Sequence, residues 1–349
     1  MRVLGRDWRE LKTVYLYLSE RHFRFDISQS GGMAIYASNM IRQYESAKDV
    51  LVAPPKGDYS RYKTPVGSIG AHHNLNGFEL SLKQSQLPKG TRQVITLHDC
   101  QEFQFPQNFS NAQISEREEV YNWIRHNKPA VICISEFTKN ELIKRATLPE
   151  EILHVIPHGF DHLVEWEANA STSSWYSQQQ YIYVPGKAWK HKGHLHLLKE
   201  MADRLSFFRE NNLKVYFACN PNDIGEELLY WIKEYKANDV LVVIPNMSNE
   251  QHVQIMRNAR LILLPSVYEG FGLSYGESVF MNKKVVAFNL QPYLEVSNAG
   301  VFVDVGNYRE LLDKTIEVYE SNKTEDEDKT IHKFTWKNNA RRVLELVTQ

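Results

Sequence analysis

The sequence predicts an α/β fold that is built on parallel sheets and divided into about two domains. Its clearest segment is 261–277, LILLPSVYEGFGLSYGE, which begins with four apolar residues and continues through a glycine-containing loop into a helical pattern. Such an apolar run is typical of a strand that is buried on both faces of a parallel sheet. The length of 349 residues is the second indication, because single domains are mostly shorter.

Predicted strands and helices alternate along the chain, as expected of parallel sheets. The predicted strands are 14–18, 49–53, 93–97, 130–134, 153–156, 181–185, 214–218, 240–244, 261–264, 284–288 and 301–305. The predicted helices are 33–44, 115–126, 139–146, 223–236, 249–258, 273–282 and 308–319, with a last helix from 335. The stretch 165–180 is rich in Ser, Gln and Trp, so we predict an interdomain linker there.

Composition narrows the class of protein. A formal net charge of -1 argues against nucleic acid as the main partner. The cysteines Cys100, Cys133 and Cys219 are far apart in the sequence, which favours a reduced, cytoplasmic compartment, and we expect Cys133 to be a buried strand residue. No stretch approaches about 18 consecutive apolar residues, so no membrane span is expected.

The loop after the strand 261–264 has the features of a ligand site. Gly270 and Gly272, one residue apart, allow backbone amides to approach a ligand closely, and the following helix adds its positive N-terminal end. A diphosphate or its attached sugar suits this place. Glu269 and Glu277 flank the turn, and because carboxylates repel phosphate, we expect them to face neutral hydroxyl-bearing groups such as ribose and a hexose.

Glu269, seven intervening residues and Glu277, embedded in PSVYEGFGLSYGE, resemble the donor-site signature of the retaining glycosyltransferases of family 4, also called glycosyl transferases group 1. The family pattern often continues as EAMA-x-G, whereas this chain continues ESVFMN, a departure that concerns packing more than chemistry. The resemblance implies the GT-B fold, with two Rossmann-like domains facing across a cleft. It implies an acceptor domain at 1–164, a linker at 165–180, a donor domain at 181–334 and a terminal helix, 335–349, packing back on the first domain.

A second segment, GKAWKHKGH at 186–194, resembles the family segment in which two basic residues bind the donor diphosphate. The residue after the glycine is usually Arg and is Lys187 here, which loses the bidentate fork but keeps the charge. Lys192 stands at the usual lysine position. A solvated basic loop is the alternative interpretation. We expect no metal site from His191, His194 and His196.

The resemblance also implies roles for residues with weaker signals. His98, at the end of the strand 93–97, would contact the donor sugar, or else be tied to a local carboxylate. Gly31 and Gly32 would belong to a donor-binding loop, or to a plain turn. Backbone groups of Ile244 and Met247 would recognise the base, while Ser248 suits a helix N-cap. The predicted donor-binding set is completed by Gly270, Phe271, Gly272, Leu273 and Glu277.

Three other features are explained without a ligand, although each has a functional alternative. His72 and His73 are interpreted as a solvated loop pair, or as residues near an acceptor. Ser135 suits a helix cap, or a donor or acceptor contact. The run 326–328, Asp-Glu-Asp, formally matches a metal-binding Asp-x-Asp pattern, but its place between two helices favours a solvated acidic run.

The predicted reaction is transfer of a hexose from a nucleoside diphosphate sugar to an acceptor hydroxyl, with retention at the anomeric carbon. The catalytic set is His98, Lys187, Lys192 and Glu269, with the lysines stabilising the departing diphosphate and Glu269 holding sugar hydroxyls. Glu277 would hold the ribose. No metal and no cofactor is expected, and the nucleotide sugar is a co-substrate. The segment 189–194 favours mannose from a guanosine donor.

The expected setting is bacterial surface polysaccharide or lipopolysaccharide synthesis, with a glycan or lipid-linked acceptor, in the cytoplasm or at the inner face of the membrane. Arg2, Arg6, Arg9 and Lys12 would provide peripheral contact with anionic lipid. The alternatives are a sugar-nucleotide epimerase or a phosphorylase on the same fold, and a non-catalytic sugar-nucleotide-binding subunit.

Overall fold

The computed structural model describes residues 13–19, 31–54, 58–61, 63–78, 84–170, 179–219, 226–245, 247–321 and 327–348. The chain divides into two compact units, Met1–Gly159 with Phe334–Gln349, and Phe160–Lys333. The division falls after Gly159 rather than after residue 164, and the terminal helix groups with the first unit. The N-terminal basic residues Arg2, Arg6, Arg9 and Lys12, and Asp326 of the acidic run, lie outside the described residues.

The first unit is built on a six-stranded parallel sheet with the strand order β2-β1-β3-β4-β5-β6. Its strands are β1 (Val14–Tyr17), β2 (Val50–Val52), β3 (Ile69–Asn74), β4 (Arg92–Leu97), β5 (Ala130–Cys133) and β6 (Leu153–Val155). Its helices are α1 (Gly32–Ser46), α2 (Asn111–Asn127), α3 (Glu136–Ala146) and, at the end of the chain, α12 (Trp336–Thr348). The order reverses between β1 and β3, as in doubly wound folds.

Helix α12 completes the core of the first unit. Trp336, Ala340, Val343 and Val347 recur at helical spacing, and all four are buried in one cluster with the apolar side chains of α1. The helix is also tied to the sheet by polar contacts, such as the hydrogen bond of 2.6 Å that the Arg92 guanidinium donates to the carbonyl of Val347. The packing therefore makes the last helix part of the first unit.

The interpretation of His72 and His73 as a solvated loop pair is wrong. Both lie in β3, which the sequence analysis does not predict, and they are only 2% and 1% exposed. His73 fits the interior because its Nδ1 is 2.7 Å from the hydroxyl of Tyr44 and its Nε2 is 2.8 Å from that of Thr96. A polar strand can be central when its buried groups are paired in this way.

The second unit is built on another six-stranded parallel sheet, with the order β12-β11-β10-β7-β8-β9. Its strands are β7 (Gln180–Val184), β8 (Leu213–Phe217), β9 (Leu241–Val243), β10 (Leu261–Leu264), β11 (Val285–Phe288) and β12 (Val301–Val303). Its helices are α4 (His162–Asn169), α5 (His194–Met201), α6 (Leu205–Glu210), α7 (Glu226–Glu234), α8 (Asn249–Asn258), α9 (Leu273–Phe280), α10 (Gln291–Val296) and α11 (Tyr308–Glu320).

Helix α4 corrects the predicted linker at 165–180. Residues 162–169 are helical and belong to the second unit, and Leu163 and Trp166 are buried. The two side chains are three residues apart and lie on one helical face, which packs toward α8. The Ser- and Gln-rich part of the predicted linker begins only after Asn169, and residues 171–178 lie outside the described ones.

Two further expectations concern burial and length. All three cysteines are buried, and burial raises the pKa of the Cys133 thiol, in β5, to about 12. Among the described residues, no helix is both long enough and apolar enough to cross a membrane.

Candidate functional site

The candidate site lies at the point where the strand order of the second sheet reverses. Counted within this unit, the order is 3-2-1-4-5-6, so β7 and β10 are neighbours and the chain winds away from them in opposite directions. Ligands of open α/β sheets bind outside the carboxyl ends of the strands at such a switch point. The two segments singled out in the sequence, 186–194 and 265–277, directly follow these two strands.

The loops after β7 and β10 pack against each other. The amide of Val267 donates a hydrogen bond of 2.8 Å to the carbonyl of His191. Gly193 has φ +73°, and a Cβ at this position would lie 2.2 Å from the carbonyl oxygen of Pro265. Gly272, directly before α9, has φ +87°, and a Cβ there would lie 2.4 Å from the ring of Tyr293. Both positions need glycine because other residues would be strained and would clash.

Lys192 and Glu269 form an ion pair across the two loops. The Lys192 Nζ is 2.7 Å from Glu269 Oε1, and the two side chains are 19% and 13% exposed. The hydroxyl of Tyr293 lies 3.4 Å from the same oxygen. Burial by itself raises the pKa of Glu269, but the contacts with Lys192, together with His191 and Ser266, outweigh this effect, so the pKa is lowered. The sequence interpretation gives these residues separate ligand groups, whereas in the structure they contact each other.

Lys187 lies on the same loop, after Gly186, whose φ is +102°. Its Nζ is 5.6 Å from the ring centroid of Trp189, which is within cation–π range. The structure thus brings the two predicted lysines onto one loop. Two of the three histidines of this segment pack against aromatic rings. His194 is buried against Phe217, and His196 is stacked on Tyr308.

Glu277 lies in α9 and is held by two histidines. Its Oε1 is 3.0 Å from Nε2 of His162, and its Oε2 is 3.4 Å from Nε2 of His252. Burial by itself raises the pKa of Glu277, but the contacts with the two histidines outweigh it and lower the pKa to about 2. The carboxylate is therefore ionised, only 3% exposed, and already engaged at both oxygens.

The histidine pair around Glu277 is absent from the sequence analysis. His162 falls near the predicted domain boundary, and His252 lies within the predicted helix 249–258, where no role is assigned to it. On its other side, the Nδ1 of His252 is 2.8 Å from the hydroxyl of Tyr183 in β7. No local motif joins these positions, because they come from α4, α8 and β7. The only available indication is Glu277 itself, because a carboxylate that is buried requires polar or charged partners.

The predicted base contacts, Ile244 and Met247, follow β9, and their role toward a base stays a prediction. The amide of Ile244 donates to the carbonyl of Phe217 at 2.9 Å, so this amide continues the strand pairing and is not available to a base. Met247 has its sulfur 3.9 Å from the hydroxyl of Tyr183. Ser248 is the N-cap of α8, as predicted, and forms a capping box with Gln251.

The remaining predicted residues of the donor loop lie at or next to the start of α9. Gly270, Phe271 and Gly272 precede the helix, and Leu273 is its first residue. The ring of Phe271 stacks on that of Phe160 at 5.7 Å and is buried, so its side chain supports the loop from within the unit. Its backbone role toward phosphate or sugar stays a prediction.

In the first unit, His98 follows β4 and is buried. Its Nε2 is 2.8 Å from the carbonyl of Leu75, which follows β3, so the hydrogen-bond partner is a carbonyl and not the local carboxylate of the alternative interpretation. Burial lowers the pKa of His98. Gly31 is the N-cap of α1 and Gly32 is its first residue. The contacts of these residues with a donor stay predictions. Ser135 caps α3 through the amide of Thr138 at 3.0 Å, as expected.

A buried ion cluster next to His98 is also absent from the sequence analysis. Arg117 lies 3.0 Å from Asp99 and 2.5 Å from Glu102, and its guanidinium lies 3.7 Å from the ring centroid of Phe78. Burial raises the pKa of Glu102 despite the nearby Arg117. These residues are separated along the sequence, so no spacing pattern could identify them.

Two protein families match the chain. The family described as glycosyl transferases group 1 matches residues 167–341, and glycosyltransferase family 4 matches residues 71–162. The two matched segments contain most of the second unit and part of the first. Together they contain every predicted site residue except Gly31 and Gly32.

Two relatives are mannosyltransferases. The chain is 24% identical to an MMP alpha-(1->4)-mannosyltransferase of Mycolicibacterium hassiacum over 169 residues, which is 48% of this chain and 39% of that protein. It is 20% identical to the O-antigen chain mannosyltransferase RfbU of Salmonella typhimurium over 222 residues, 62% of this chain and 58% of that protein. In both cases the similarity spans less than two thirds of the relative.

A solved structure resembles the whole chain. It is Anabaena Alr3699/HepE in complex with UDP-glucose, with a TM-score of 0.63, 16% sequence identity, and coverage of 96% of this chain and 95% of that one. This similarity concerns the fold, and the structures that match are of the GT-B class.

Proposed function

Since the chain belongs to the glycosyl transferases group 1 family and is a glycosyltransferase with the GT-B fold, we propose that it transfers a hexose from a nucleoside diphosphate sugar to a hydroxyl of a glycan or lipid-linked acceptor. The observation that carries this proposal is the Lys192–Glu269 pair at the switch point of the second sheet. It supplies a cation for phosphate oxygens and an anion for hydroxyl groups, side by side.

The lysines act on the leaving group. The bond between the anomeric carbon and the diphosphate oxygen breaks, and negative charge develops on that diphosphate. Lys187 and Lys192 stabilise this charge, assisted by the amides at the N-terminal end of α9. With two cations at the phosphates, we propose that the reaction needs no metal ion and no cofactor.

Glu269 has two functions in this mechanism. Its carboxylate orients the Lys192 ammonium, and it also accepts hydrogen bonds from sugar hydroxyls. The lowered pKa of Glu269 keeps it an acceptor throughout the neutral range. We propose retention by a front-side path, in which the acceptor oxygen bonds to the anomeric carbon on the face that the diphosphate leaves, and the departing diphosphate accepts the acceptor proton.

Mannose is the proposed sugar. The two relatives are named as mannosyltransferases, and the segment 189–194 favours a guanosine donor. The HepE structure contains UDP-glucose, so a uridine donor is the alternative to test. We propose surface polysaccharide synthesis as the setting because one relative acts on the O-antigen chain. If the acceptor is lipid-linked, the enzyme works at the inner face of a membrane.

A labelled donor panel tests the function. GDP-mannose, UDP-glucose and other common sugar nucleotides are incubated with the protein, a glycan mixture and lipid extracts, with and without EDTA. We expect transfer from GDP-mannose, unaffected by EDTA, to an α-linked product whose anomeric configuration is read by NMR. Isomerised donor without transfer would instead identify an epimerase, and binding without turnover would identify a non-catalytic subunit.

A further inference from the structure

A chain of contacts joins the two positions that the donor nucleoside is proposed to occupy. It runs from Met247, after β9, through Tyr183 and His252 to Glu277 and His162. Met247 is a predicted base contact and Glu277 the predicted ribose contact. His252 stands between them, with a side chain that is 19% exposed, whereas His162 is fully buried.

The neighbours of His252 determine which of its ring nitrogens carries the proton. The hydroxyl of Tyr183 lies 2.8 Å from Nδ1, and because the Glu277 carboxylate beside Nε2 favours a hydrogen on that nitrogen, Nδ1 accepts from this hydroxyl. In the neutral ring, Nε2 then carries the hydrogen, and it faces Glu277 Oε2 at 3.4 Å. Tyr183 therefore orients the His252 ring from one side, and the ring orients the Glu277 carboxylate on the other.

Holding both oxygens of Glu277 prevents rotation of the carboxylate. Each carboxylate oxygen can accept about two hydrogen bonds, and among the residues that the structure describes each oxygen faces one histidine nitrogen, so each keeps one position. Two adjacent oxygens with one free position each match two vicinal hydroxyls, the pattern that ribose presents and that a deoxyribose lacks.

We propose that His252 is a positioning residue for the donor, which holds Glu277 in the orientation that binds the ribose hydroxyls of the nucleoside diphosphate. This inference rests on the proposed function. It predicts that His252 contributes to affinity only when the ligand has both ribose hydroxyls, although the histidine itself makes no bond to the sugar.

The test compares binding of UDP and GDP with binding of their 2′,3′-dideoxy counterparts by titration calorimetry. His252→Ala is expected to weaken binding of the preferred ribonucleotide about tenfold, the effect of losing one charge-assisted hydrogen bond, and to change binding of the dideoxynucleotide by less than about twofold. His252→Gln retains a donor at the far end of the side chain and is expected to recover most of the affinity.

Arg257→Ala is the matched control. Arg257 lies on α8 like His252, and it pairs with Glu167 of α4, so its loss removes a contact between the same two helices without affecting Glu277. We expect unchanged binding of both nucleotides. Tyr183→Phe provides a second variant if His252→Ala does not fold, and a smaller loss is expected, again limited to the ribonucleotide.

Equal loss for both nucleotides, or no loss for either, would overturn the positioning role. Equal affinity of the wild-type protein for ribo- and dideoxynucleotides would overturn it as well, while leaving the proposed transfer intact. Failure of the wild-type protein to bind UDP or GDP at all would overturn the proposed function itself.

Discussion

The ammonium of Lys192 lies 2.7 Å from the carboxylate of Glu269, although the two residues are 77 positions apart in the sequence. The strand order explains this contact, since β7 and β10 are neighbours in the sheet and each residue follows one of them. The pair places a positive and a negative group at one point, where a phosphorylated sugar needs both.

Replacing Lys192 with alanine is expected to lower kcat by about 10²- to 10³-fold, because the charge on the departing diphosphate loses its main stabilising partner. Lys190→Ala is the control, since Lys190 lies in the same short 3₁₀ helix, Lys190–Lys192, and is exposed. Steady-state kinetics with the best donor provides the measurement. A kcat of Lys192→Ala close to that of the control would disprove the role.

Glu269→Gln should separate the binding of phosphate from the binding of sugar. Without the carboxylate, the Lys192 charge is uncompensated, so affinity for the free nucleoside diphosphate is expected to rise about three- to tenfold. Transfer is expected to fall at least about tenfold, because an amide oxygen is a weaker acceptor for sugar hydroxyls. Calorimetry measures the affinity for the diphosphate, and kinetics with the sugar nucleotide measures transfer. If affinity and transfer rate both fell, or both rose, the proposed role of Glu269 would be contradicted.

Gly193→Ala is expected to destabilise the protein by about 2–4 kcal/mol. The positive φ is unfavourable for alanine, and its Cβ would meet the backbone oxygen of Pro265 at 2.2 Å. Gly306→Ala isolates the first effect, because Gly306 has φ +87° and no atom within 4 Å of the added Cβ; a loss of about 1 kcal/mol is expected there. Urea unfolding of both variants measures the difference, and equal losses would show that the loops do not pack closely.

The buried His194 predicts a pH dependence of stability. Burial lowers its pKa from 6.5 to about 3, and neither ring nitrogen has a hydrogen-bond partner among the described residues. Below pH 6.5 His194 binds a proton in the unfolded chain but not in the folded chain. Its protonation therefore does not reduce the free energy of unfolding above that pH, and reduces it progressively as the pH falls toward 3. The full loss for this one group has an upper bound of about 5 kcal/mol.

His194→Leu removes the titrating group and fills the site with an apolar side chain. We expect a higher free energy of unfolding and a flatter dependence between pH 7.5 and 5, measured by urea titration, since unpaired buried polar atoms are costly. His126→Leu, at an exposed position of α2, is the control and should keep the wild-type slope. A His194→Leu variant with the wild-type slope would show that His194 does not titrate as inferred.

Much of the fold can be predicted because each element has its own local signal. The helix Asn249–Asn258 and the strand Leu261–Leu264 agree with their predicted bounds, since a capping serine and a bounded apolar run are properties of neighbouring residues. The strand Ile69–Asn74 could not be predicted in the same way. Its two histidines are polar, and His73 is stabilised in the interior by Tyr44 and Thr96, which are distant from it in the sequence.

The same distinction between local and long-range information applies to the candidate site. The sequence by itself determined which residue types stand at the two loops: the glycines that allow a close turn, the two lysines, and the two glutamates with their family spacing. Only the tertiary structure decided which of these residues contact each other. It pairs Lys192 with Glu269 and encloses Glu277 between His162 and His252. The physical reason is that conformational preferences are local and leave a pattern in the sequence, whereas a buried charge is stabilised by whichever partners the sheet order brings beside it.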